Sequence, residues 1–104
     1  MALTDQDQTD LNRSLAAEKI IQDPLVVEAL ALMERATYEL WAGGALSPEH
    51  REELHRMHQT QARFVSTFES FLQNGAAGRL EIGIAPPEKT FHQRIKEYFH
   101  GKEA

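Results

Sequence analysis

Residues 23–54, DPLVVEALALMERATYELWAGGALSPEHREEL, decide the fold. Asp23 followed by Pro24 is a helix start, because an aspartate caps the free amide groups and proline fits the first turn. Gly43-Gly44 is a stop, since glycine adopts the backbone conformations that end a helix at little cost. Ser47-Pro48-Glu49 then repeats the start, with an acid where the helix dipole favours it. The pattern predicts one helix from Pro24 to about Ala42 and a second from Pro48 to about Gln73. The connection between them is short, so the two should fold back as an antiparallel hairpin.

Apolar spacing assigns the faces of that hairpin. In the first helix Val26, Ala29, Leu30, Met33, Thr37, Leu40 and Trp41 form one broad stripe, while Leu25, Val27, Leu32 and Tyr38 spread around the cylinder. This is more apolar surface than a helix packed on one side requires. In the second, Leu54, Met57, Gln61, Phe64, Phe68, Phe71 and Leu72 recur at intervals of three and four, the seam of a packed helix pair.

Upstream, Leu11, Leu15, Ile20 and Ile21 predict a leading helix from the cap Asp10 to Gln22, broken by Asp23-Pro24. Residues 1–9 are polar and read as a mobile tail, leaving 10–75 as the helical domain. Downstream, residues 75–87 contain three glycines and two prolines, and Leu80, Ile82 and Ile84 alternate with Arg79, Glu81 and Gly83. Alternation is a strand signature, yet the chain offers no second strand. From Glu88 to Phe99, the residues Phe91, Ile95, Tyr98 and Phe99 recur at helical spacing among charges. Residues 76–104 therefore read as an arm with a hinge at Gly75 and Gly78, ending in a short amphipathic helix. The expected fold class is all-α: a long antiparallel hairpin, a short leading helix and an extended C-terminal arm.

Composition narrows the function. The chain has 104 residues, a formal charge of −5, no cysteine and 41% hydrophobic residues. One domain fits this length and two do not. Without cysteine there is no disulfide framework, thiolate metal site or thiol nucleophile. Sixteen acidic against eleven basic residues argue against gripping nucleic acid. The apolar runs are too short to cross a membrane, and the acidic N-terminus does not resemble a signal peptide, which points to the cytoplasm.

The candidate chemistry is thin. His50, His55 and His58 cluster on the second hairpin helix, but neither the zinc-protease spacing nor a second Glu-x-x-His helix is present. Ser14, Ser47, Ser66 and Ser70 lie on helices or caps without a nucleophile elbow. Gly75–Gly83 lacks the lysine and serine of a phosphate loop, and Arg51, Arg56 and Arg63 are interleaved with Glu49, Glu52 and Glu53. No catalytic residue, metal ligand or cofactor is expected.

The run IIQDPLVVEALALME (residues 20–34), followed by Trp41 and HREEL (50–54), resembles small helical proteins from the structural-gene regions of tailed bacteriophages and prophages. Those share a leucine-rich helix, a proline break, an E-A-L-x-x-L-E run, a tryptophan and an R-E-x-L segment. The likeness spans about residues 16–75 and brings no catalytic residues with it. It implies a virion or assembly component, found in the bacterial host cell or built into the particle. The expected activity is then non-enzymatic: self-association into a homo-oligomer and docking to a larger virion protein. A DNA-packaging or regulatory helical protein is the first alternative and a small helical enzyme the second. The residues expected to contact a partner are Leu80, Ile82, Ile84, Phe91, Ile95, Tyr98 and Phe99, through strand addition and helix docking; the alternative is that this segment folds back on its own hairpin. On that view, deletion after Asn74 leaves a folded hairpin.

Overall fold

Thr4 caps the first helix. Its hydroxyl accepts from the Asp7 amide at 3.0 Å while the Asp7 carboxylate accepts from the Thr4 amide at 3.4 Å, a reciprocal capping box. The computed structural model describes residues 3–103, with side chains described as far as Phe99. The described residues form five helices: α1 (Asp5–Ile21), α2 (Pro24–Ala42), α3 (Pro48–Asn74), α4 (Ala76–Ile82) and α5 (Phe91–Glu103). The all-α class holds, with 81% helix and no strand among the described residues.

The starts of α2 and α3 follow the sequence signals. Asp23 accepts from the Leu25 amide and Ser47 from the His50 amide, each with proline in the first turn. The α1 start does not. Asp10 lies inside the helix, and residues 5–9, expected as tail, are its first turn and a half. The capping box, with Asp5 and Asp7 in the first turn, moves the start upstream. Met1 and Ala2, the rest of that expected tail, lie outside the described residues.

The α1–α2 rod runs antiparallel to the α3–α4 rod. Thr37 of α2 accepts a hydrogen bond from Gln61 of α3 at 3.2 Å, and farther along Ser14 of α1 lies against Gly75 and Leu11 against Gly78. Those two glycines are therefore a close helix crossing, not a hinge. A Cβ at Gly75 would sit 2.2 Å from the Ser14 Cβ and 2.9 Å from the Asp10 carbonyl oxygen. Neither neighbour is the free end of a side chain, so α1 would have to retreat. Gly75→Ala is expected to destabilise the chain by ~1–3 kcal/mol, the usual cost of overpacking, measurable by urea denaturation.

The strand expected at residues 80–84 is absent. Residues 76–82 form α4 instead, and the alternation of Leu80 and Ile82 does not prevail over helix continuation from α3. Gly83, at φ 75°, terminates α4: its amide bonds the Leu80 carbonyl and the Ile84 amide bonds the Arg79 carbonyl, the paired closure of a Schellman motif. The chain then returns past Ala76 and Leu72 through Pro86-Pro87, in non-helical form along the rod. Thr90 and Gln93 form a second capping box, which starts α5 two or three residues later than the apolar spacing suggested.

α5 fills the groove between α2 and α3. Phe91 and Ile95 form the buried cluster together with Ile21, Val27 and Ala31, and Val65, Phe68, Leu72, Tyr98 and Phe99 pack around it. The Phe91 ring meets Phe68 edge-on, centroids 5.7 Å apart, and Arg35 lies over the Phe99 ring at 4.7 Å. The C-terminal helix is thus part of the chain's own core. The sequence suggested an arm because the α2–α3 seam looked complete, but Val27 and Ala31 need α5 to cover them.

Candidate interaction surface

Arg79 is the most deeply buried charged side chain among the described residues. Its Nε donates to the Ser14 hydroxyl at 2.8 Å, Nη1 to a Glu18 carboxylate oxygen at 3.2 Å and to the Ala85 carbonyl at 3.1 Å, and Nη2 to the Ser14 carbonyl at 3.3 Å. The rigid fork of guanidinium donors ties α1, α4 and the return segment together. Each of these bonds goes to a group of the chain's own framework. The sequence placed Arg79 on the polar side of a strand; one turn of helix carries it inward instead.

Polar chemistry elsewhere is sparse. An open cleft of about 260 Å³ between α2 and α3 is lined by Glu34, Thr37, Tyr38, Trp41, Leu54, His55 and His58. It pairs two imidazoles with an apolar floor and holds no serine or cysteine. No group of three or more His, Asp or Glu side chains is placed to hold a metal among the described residues. Tyr38 and Trp41, the second of which the spacing had placed on the packed stripe, are both exposed.

The surface carries many large apolar side chains instead. Among the described residues, eight hydrophobic residues are buried while twelve large ones stay exposed. The molecule measures 60 × 35 × 15 Å, about two helices deep in its shortest direction, so no helix is enclosed on all sides. Its radius of gyration is 17.2 Å, against about 13 Å for a compact domain of this length. Its accessible surface is 7528 Å², against roughly 5,900 Å² for a compact monomer of this mass.

Nine of the twelve exposed side chains fall in three places. Met57 and Phe64 stand out from α3, although the spacing had assigned both to the seam; Val65 takes the seam position instead. Leu80 (84% exposed), Ile82 and Ile84 project around the end of α4. The third and longest patch is on α2, where Leu25 (71%), Leu32, Met33 and Leu40 are exposed, with Ala29 and Ala36 between them. The sequence put Ala29, Met33 and Leu40 on the packed face of α2. Of that expected face Thr37 is buried and Val26 and Leu30 pack against the core, beside the unexpected Val27 and Ala31, whereas Ala29, Met33 and Leu40 point away from it.

The seven expected partner residues divide accordingly. Phe91 and Ile95 are spent on the intrachain core, and Tyr98 and Phe99 are half-buried at its edge. Leu80, Ile82 and Ile84 remain on the surface, clustered by α4 and its cap rather than by a strand. The α2 stripe was missed because its leucines were distributed over two faces. No helix of the described residues is long and apolar enough to cross a membrane. Comparison with known proteins matches the chain to no family model, no curated protein and no solved structure.

Proposed function

We propose that the protein is a non-enzymatic bacteriophage assembly protein that acts by self-association and by docking to a larger virion protein. The observation that carries the self-association is the excess of surface: a 15 Å-deep chain that leaves Leu25, Leu32, Met33 and Leu40 exposed on one helix gains by covering them with protein. The virion partner rests on the resemblance of residues 16–75 to phage structural-region proteins, and Leu80, Ile82 and Ile84 are the surface assigned to it.

Light scattering with and without duplex DNA tests this reading. The expected result is a discrete multiple of the 11.8 kDa chain mass that DNA leaves unchanged. A DNA-dependent rise in mass at physiological salt would favour a packaging or regulatory role, against the net charge of −5.

A further inference from the structure

We infer that the exposed stripe of α2 is a two-fold interface on which α2 of a second copy of this chain packs antiparallel. This rests on the self-association proposed above and assigns its surface and geometry. The stripe runs Leu25, Ala29, Leu32, Met33, Ala36, Leu40. Read from either end, the steps are four, three, one, three, four, and the order is large, small, large, large, small, large.

A two-fold contact requires that if one position faces another, the second also faces the first. An antiparallel helix pair centred between Leu32 and Met33 meets that condition at every stripe position. Leu25 falls opposite Leu40 of the second copy, Ala29 opposite Ala36, and Leu32 opposite Met33. Facing alanines let the helix axes approach, and leucines close both ends. A parallel pair would set each residue against itself, leaving alanine facing alanine without any use for the symmetry of the spacing.

Access and area agree with this. α3 and α5 cover α2 on the side of Val27, Ala31 and Thr37, so the stripe faces away from the rest of the chain. The four large side chains expose on the order of 400 Å² per copy, about half of what one partner contributes to a standard interface, and the alanines and rim residues supply more. A second copy is the occupant that matches a self-symmetric stripe; an unrelated helix gains nothing from the symmetry.

The absence of cysteine makes cross-linking a clean test. Single Leu25→Cys and Leu40→Cys variants of the full chain are oxidised separately and as an equimolar mixture, beside Leu32→Cys alone. The expected result is a disulfide dimer from the mixture and from Leu32→Cys, with little from Leu25→Cys or Leu40→Cys alone. Leu32→Glu, which would bury two carboxylates per dimer, should raise the dimer Kd at least ~100-fold while circular dichroism stays helical. Leu25→Lys, at a still more exposed site, serves as a second disrupting variant. Homodimers of Leu25→Cys as abundant as the mixed product would overturn the antiparallel geometry. Wild-type mass retained by both charged variants would overturn this interface while leaving self-association standing through another surface. A full chain that is monomeric at every concentration would remove both.

Discussion

Deleting residues 75–104 is expected to unfold the chain. The deletion removes Phe91, which is 0% exposed, and Ile95, leaving Ile21, Val27 and Ala31 facing water. Truncating a buried phenylalanine to alanine alone costs about 3–5 kcal/mol, a large part of the ~5–15 kcal/mol that holds a small domain together. The deletion also takes away Arg79 and with it the bonds to Ser14 and Glu18. Phe91→Ala in the full chain is the graded version: a drop of at least ~3 kcal/mol in urea unfolding, with the folded baseline still helical. If the 1–74 fragment instead melts cooperatively with an intact helical spectrum, α5 is an accessory and the core lies elsewhere.

Arg79→Ala has the second large effect. The side chain of Arg79 is 2% exposed and that of its partner Glu18 25% exposed, so removal of the guanidinium strands a carboxylate that water only partly reaches. Breaking a buried pair from one side costs about 3–5 kcal/mol. The Ser14 carbonyl and hydroxyl lose their donors at the same time, at the point where α1 crosses Gly75 and Gly78. Arg79→Lys should recover only part of the loss, because one ammonium cannot reach Ser14, Glu18 and Ala85 in the planar arrangement the fork provides. Arg79→Met, which keeps the volume of the side chain and none of its bonds, separates packing from hydrogen bonding. A loss below ~1 kcal/mol for Arg79→Ala would mean that the cluster is a surface feature.

The parts of this architecture that depend on neighbours in sequence were legible. Asp23-Pro24, Gly43-Gly44 and Ser47-Pro48 set the limits of α2 and the start of α3, because capping and proline geometry are decided within a turn. The two capping boxes, Thr4/Asp7 and Thr90/Gln93, are written in the sequence as plainly, and overlooking them misplaced the starts of α1 and α5. What could not be read locally was which face of α2 is covered. α2 is apolar on nearly every side, so periodicity alone does not distinguish the face under α5 from the face in water; only the position of Phe91 and Ile95 settles it. Gly75 and Gly78 posed the same difficulty. Glycine in a helix-to-helix junction suggests freedom, and the opposite is true once α1 lies 2.2 Å from the missing Cβ. Arg79 was hidden for a third reason: an arginine reads as surface unless its partners, 61 and 65 positions earlier in the chain, are known to lie beside it.

The proposed association and the openness of the fold are two sides of one property here. A chain whose radius of gyration exceeds that of a compact domain by about a third spends its apolar residues on surfaces rather than on a closed core. The buried cluster of Ile21, Val27, Ala31, Phe91 and Ile95 holds the helices in place. The stripe on the far side of α2 and the cluster at Leu80, Ile82 and Ile84 are then available on a rigid support, as the proposed assembly role requires.

Small-angle scattering of the full chain over a concentration series tests the central claim most directly. A chain that completes itself by association should scatter as a particle of multiple mass at working concentrations, its radius of gyration well above 17.2 Å, and return toward that value only on dilution. A single species of 11.8 kDa with a radius of gyration near 17.2 Å at every concentration would contradict it.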